Sequence, residues 1–141
     1  MAWVATVVGL SWRDRALLVE AALVLTWSTL CIALLPFNRV VGQAARSTPS
    51  EQVAPAPLAR RIAWAIGVCA RRAPWRTVCF QQGLAAHWML RRRRLRTSLH
   101  YGARREDLGG LAAHVWVRSG DLDVIGCENA ADYSLLSTFV A

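Results

Sequence analysis

From Ala16 to Leu35 the chain reads "ALLVEAALVLTWSTLCIALL", 20 residues interrupted only by Glu20, Thr26, Ser28 and Thr29. That is the length a bilayer crossing requires. A glutamate in hydrocarbon is costly unless partnered, so the stretch reads first as a buried core helix, with membrane insertion or surface association as the open alternative. The spacing predicts one helix over Arg13–Leu35, opened by Ser11 or Asp14 and closed near Pro36, because proline cannot continue a helix. A shorter helical piece follows to about Ala45, and "RSTPSEQVAPAPLA" then reads as a loop. Helical spacing resumes at Arg60 in "RRIAWAIGVCARRAP", with Ile62, Ile66 and Cys69 on one face and a stop at Pro74. A further helix is predicted from Val78 to about Arg93. The period then changes to two: "RTSLHYGARRE" and "AAHVWVRS" read as strands. Gly120-Asp121 turns the second of them into "LDVIGC" as a hairpin. "NAADYSLLSTFV" closes the sequence as a short helix or extended tail. Helices followed by a small antiparallel sheet make an α+β chain.

At 141 residues this is one structural unit with a single modest core. It is organised as an N-terminal helical region and linker (1–58) and a second region (59–141). The net charge of +8 and the pI near 10.9 fit nucleic acid, anionic lipid or an acidic peptide or protein equally. A nucleic-acid role asks for aromatics interleaved with the arginines. Among Arg91–Arg94, Arg96, Arg104 and Arg105 only Tyr101 qualifies, so nucleic acid is set aside. The run reads as a solvated helix end favoured by the helix dipole, or as a basic face for an acidic peptide or its carrier. Cys31, Cys69, Cys79 and Cys127 form no paired pattern, which favours a reducing, cytoplasmic compartment. "MAWVATVVGLSWRDR" lacks the basic start and small-residue cleavage site of a signal peptide. The seven tryptophans read mostly as core or interface anchors; Trp75 is a candidate groove wall and Trp116 a shield beside His114.

The candidate chemistry begins at Cys79, where a Pro-containing loop turns into a helix. With Thr77 as cap, Cys79 lies in the first turn, where free N–H groups and the helix dipole stabilise a thiolate and can hold an oxyanion. A lone cysteine at a helix start is also an ordinary structural residue, so the question is whether a base exists. His87, eight residues along the same helix and about 12 Å of rise away, cannot reach the sulfur. His100 has no orienting acid nearby. His114, fixed in "HVWV", is the best candidate. For the carboxylate that orients the imidazole, Asp123 shares a sheet face with His114 but lies roughly 13 Å along the strand. Glu128 lies at the correct end of the hairpin, where His114 would face Cys127, and a bulge at Gly126 would re-aim it. Glu128 is preferred and Asp123 is the alternative. A zinc site from Cys79, His114 and Cys127 matches no short ligand motif, and no cofactor is expected.

Cys79 with "LAAHWMLRRRR", then "AAHVWVRSGDLDVIGCEN" and "DYSLLSTF", resembles the stand-alone transglutaminase-like cysteine peptidase of lasso-peptide biosynthesis. "LLVEAALVLTWSTLCIALLPFNRVV" resembles that family's helical lead-in. The resemblance implies a transglutaminase/papain-like core over 59–141, with the nucleophile helix packed on a small antiparallel sheet. It implies a leader peptidase that frees the N-terminal amine of a ribosomally made precursor, Cys79 acting as nucleophile and His114 as base and later acid. The implied partners are the precursor's leader, a separate leader-recognition protein and an asparagine-synthetase-like ATP-dependent cyclase. Many relatives carry Asp twelve residues after this His, where this chain has Gly126; others have Glu at the position of Glu128. The family usually has Gly after the basic run, where this chain has Arg94, so a different turn is expected there.

Overall fold

The computed structural model describes residues 8–45 and 49–141; the signal-peptide reading of residues 1–7, Trp3 and the first residues of the expected loop lie outside these. Helix α1 spans Trp12–Leu34, and the hydroxyl of its N-cap Ser11 accepts the Asp14 N–H at 3.2 Å. This satisfies one of the donors that a helix start leaves open. Its buried positions, Leu17, Ala21, Leu25, Ser28 and Cys31, recur at three- and four-residue steps and make one core-facing stripe. Proline then acts as expected: Leu35 is extended before Pro36, and helix α2 begins at once over Phe37–Ala44.

Helix α3 runs over Ala56–Arg72, four residues earlier than the loop reading allowed. A Pro-rich stretch reads as loop, but Pro55 is the cap and Pro57 sits in the first turn, where the missing N–H costs nothing. Helix α4 covers Cys79–Arg92, and its N-cap is Val78 rather than Thr77. The Thr77 hydroxyl instead donates to the Ala70 carbonyl at 3.2 Å, tying the loop back to the end of α3.

Strands β1 (Ser98–Arg105), β2 (Leu111–Ser119), β3 (Leu122–Ile125) and β4 (Ser134–Val140) form one antiparallel sheet in the order β3-β2-β1-β4. The closing segment is therefore a single 3-10 turn, Ala130–Asp132, followed by an edge strand on β1. The two-residue turn holds, with Ser119 opposite Leu122 and Gly120 at φ +58°. The bulge lies two residues earlier than expected: Arg118 faces Asp123 and Val117 faces Ile125, leaving Val124 unpaired. The simple pairing of His114 with Cys127 is therefore not formed, and β3 ends before it.

One core joins all of these elements. Leu17 and Leu25 from α1, Ile62 and Ile66 from α3, Leu84 and Leu90 from α4, and Leu99 and Val117 from the sheet belong to a single buried cluster. The segment before α3 is stitched to two turns of the sheet half. The Arg96 N–H donates to the Gln52 carbonyl at 2.6 Å, and the Ala54 N–H donates to the Ser119 hydroxyl at 2.8 Å. Ser119 in turn donates to the Arg96 carbonyl at 2.6 Å, so a fully buried hydroxyl bridges three segments.

Candidate active site

The approach of α4 to the sheet is set by a glycine. A Cβ on Gly83 would lie 2.5 Å from Val115 Cγ1, so only glycine lets the helix seat this deeply on β2. Four helical residues rise about 6 Å, close to the advance of two strand residues, about 6.6 Å. The helix therefore runs in step with β2: Gly83 meets Val115, and Cys79 meets Ala113. The Cys79 thiol lies 4.0 Å from the Ala113 carbonyl oxygen, half-exposed at the open end of the helix. Phe37 packs against Phe80 (5.9 Å between ring centroids) and Tyr101 (5.8 Å) beneath this corner. Val78 has no side-chain acceptor; its own N–H donates to Gln81 Oε1 at 2.6 Å. The Gln81 amide also donates to Thr29 Oγ1 at 3.1 Å, and the Ser28 hydroxyl donates to the Gln81 carbonyl at 3.1 Å. Helix α1 thus braces the first turn of α4, which is left with uncapped N–H groups.

His114 follows Ala113 on β2, and strand alternation turns it with Trp116 away from the Val115 face that contacts α4. Its Nε2 lies 2.7 Å from the Gly126 carbonyl oxygen. The imidazole stacks between Tyr133 (centroids 4.9 Å apart) and Trp116 (5.9 Å), and Trp116 is buried. No hydrogen bond links the thiol to the imidazole. Cys79 packs against β2 one residue before His114, but the imidazole projects from the other face of the strand, so the structure does not bring thiol and imidazole together.

The two candidate carboxylates stand elsewhere. Asp123 accepts from Arg118 Nε at 2.8 Å. Glu128 is exposed in the turn after β3 and makes no hydrogen bond to His114. Cys127 is no ligand in waiting: its thiol donates to the Val117 and Ile125 carbonyls at 3.4 and 3.5 Å, clamping the bulge. Burial, with the Asp123 charge, pushes that thiol's pKa up and keeps it protonated. Among the described residues no group of three or more His, Cys, Asp or Glu side chains is placed to hold a metal.

The remaining histidines are occupied. His87 is fully buried, its Nε2 on the Ala44 carbonyl and its Nδ1 2.9 Å from the Thr97 hydroxyl. Burial drives its pKa down to about 4, so it is neutral. His100 stacks on Trp116 at 5.5 Å and contacts the Thr138 hydroxyl at 3.1 Å; burial and then the Arg118 charge lower its pKa.

The arginine run is more engaged than a solvated helix end. Arg92 and Arg93 grip Glu20 at 2.9 and 2.6 Å, and Arg91 donates to the Gln43 carbonyl. Burial raises the Glu20 pKa, but the Arg93 and Arg92 contacts outweigh it and hold the carboxyl below its usual value. The tryptophans are also less buried than expected. Trp12 and Trp27 are 81% and 59% exposed, and Trp64 and Trp75 lie at the surface. Trp75 donates to Thr29 Oγ1 at 3.1 Å and walls an apolar groove of about 800 Å³ between α1 and α3, together with Arg15, Val19 and Arg72.

Three features escaped the sequence reading. Gly83 was visible as a glycine inside a helical pattern, a sign of close backbone approach. Tyr133 was visible only as part of the tail. The Gly126 carbonyl, being backbone, has no residue-type signal beyond the glycine itself. A family model described as the Transglutaminase-like superfamily matches residues 22–138, a stretch that begins inside α1 and ends inside β4. No curated protein and no solved structure matches the chain.

Proposed function

The chain belongs to the transglutaminase-like superfamily, and on that premise we propose that it is a cysteine peptidase that removes the leader from a ribosomally made lasso-peptide precursor. The observation that carries the reading is the Cys79 thiol, on the first residue of α4, set against β2 one residue from His114. In this mechanism His114 takes the thiol proton and the thiolate attacks the carbonyl carbon at the leader–core junction. The open N–H groups at the start of α4 hold the oxyanion. His114 then gives its proton to the departing core amine, and water hydrolyses the leader thioester, regenerating the thiol. The freed amine is the nucleophile that a separate ATP-dependent cyclase joins to a core carboxylate, and a separate recognition protein delivers the leader.

With precursor and recognition protein supplied, Cys79→Ala is expected to abolish cleavage, monitored by mass spectrometry, while circular dichroism stays unchanged. Cleavage at the wild-type rate by that variant would sink the reading. His114→Ala is expected to lose at least about a hundredfold in rate, the low end for a positioned acid–base group.

The outer face of α1 favours a second statement, about location. Val19, Leu23, Trp27, Leu30 and Leu34 are all exposed, and the exposed positions between Ala16 and Leu34 carry no charge. Arg15 and Arg72 border this stripe on the groove side, and Arg91 and Arg92 lie beside Trp27. An apolar stripe between arginines matches an anionic bilayer surface. Although α1 is long and apolar enough to cross a membrane, crossing would strip Leu17, Ala21 and Leu25 from the core, so the helix lies in the membrane plane. The protein is expected to float with phosphatidylglycerol vesicles and not with phosphatidylcholine vesicles. Leu23→Asp/Trp27→Asp, which removes no core contact, is expected to abolish flotation; retention of binding by that variant would contradict this face.

A further inference from the structure

We infer that the backbone carbonyl of Gly126, and no side-chain carboxylate, is the group that orients His114; the inference rests on His114 acting as the general base. A carbonyl oxygen can only accept, so the 2.7 Å contact with Nε2 requires Nε2 to carry the proton. The neutral ring then keeps its lone pair on Nδ1, which has no hydrogen-bond partner among the described residues. When Nδ1 takes a proton, Nε2–H still donates to the same oxygen, so both protonation states share one ring orientation. Tyr133 and Trp116 lie near-parallel on the ring, with interplanar angles of 29° and 21°, and limit its rotation.

The backbone at Gly126 is shaped for this use. Its φ is +74°, and a Cβ there would lie 2.7 Å from the Val115 carbonyl oxygen. A side chain at this position, a carboxylate included, would force the backbone off its present path. The unpaired Val124 advances the chain by one residue against β2, and the Cys127 thiol fixes the bulge through the Val117 and Ile125 carbonyls, so the Gly126 oxygen is held in place. The nearby acids are otherwise disposed: Asp123 is on Arg118, and Glu128 is exposed without a bond to the ring; Arg104 lies 5.0 Å over the Tyr133 ring.

The test is the tautomer. In ¹⁵N-labelled protein at pH 8, where an ordinary histidine is neutral, two-bond ¹⁵N–¹H correlation spectra distinguish Nε2–H from Nδ1–H rings, and His114→Gln identifies the His114 signals. The expected result is the Nε2–H form in wild type, Glu128→Gln and Asp123→Asn alike, with kcat/KM for precursor cleavage within about twofold in both variants. An Nδ1–H ring in wild type overturns the proposal. So does a tenfold or greater fall in kcat for folded Glu128→Gln or Asp123→Asn. The spectrum needs no substrate: an Nε2–H ring in a protein whose cleavage survives Cys79→Ala sinks the peptidase reading and leaves the Gly126 contact standing.

Discussion

Three histidines in one small chain do three different things, and their surroundings decide which. His87 sits in the core with both ring nitrogens bonded, its pKa lowered to about 4 by burial, whereas an unfolded histidine titrates near 6.5. Between those values the unfolded chain binds the proton and the folded one does not, so stability is full above pH 6.5 and is lost as the pH falls towards 4. From pH 7.5 to 5.0 the loss is expected to be about 2 kcal/mol, read from urea unfolding at the two pH values. His87→Gln should flatten that slope while costing about 1–3 kcal/mol at pH 7.5 through the lost buried bonds. Glu20, with its lowered pKa, adds acid sensitivity below about pH 4.5, at and beyond the acid end of the His87 window. His100 and His114 flank the Trp116 ring, but only His114 keeps an open nitrogen on the strand that meets Cys79.

At the level of elements, periodicity located the four helices α1–α4 and the first three strands, because each buries a stripe or face at its own repeat. It failed where a backbone feature outranked side-chain pattern. Prolines that read as loop opened α3, the edge strand β4 showed no alternation of burial, and the bulge at Val124 reset the register on which the choice between Asp123 and Glu128 depended. The site was legible to the same extent: Cys79 and His114 are residue types, whereas the acceptor on His114 is a peptide carbonyl. The end of α4 carries a similar lesson. The Arg94 N–H bonds to Arg91 O at 2.9 Å and the Leu95 N–H to Leu90 O at 3.1 Å, the paired bonds of a Schellman close. Arg94 performs it at φ +57°, where glycine would be unstrained. A left-handed L-residue costs about 1–2 kcal/mol, and glycine's extra unfolded freedom returns up to about 1 kcal/mol. Arg94→Gly is therefore expected to stabilise by about 0.5 kcal/mol and raise Tm by about 1–3 °C; Arg94→Val should lower it.

Across the whole molecule, charge and apolar surface are unevenly shared. Asp14 is held by Arg61 at 2.7 Å and Glu20 by Arg92 and Arg93, and the chain as a whole keeps a net charge of +8, so the surface around the exposed stripe stays positive. Vesicle binding through this face should weaken as salt is raised from about 0.05 to 0.5 M, since the Debye length shortens severalfold over that range, while the apolar stripe alone would be nearly indifferent. The shared core also bears on how the protein is made. Leu17 and Leu25 leave the ribosome before the surfaces that cover them, α3 and then α4. Translation therefore carries an uncovered apolar helix until these emerge, in the state where chains are most prone to aggregate. A nascent α1 resting on a chaperone or on the inner leaflet until α4 emerges would meet that need with the same stripe that stays exposed in the finished fold.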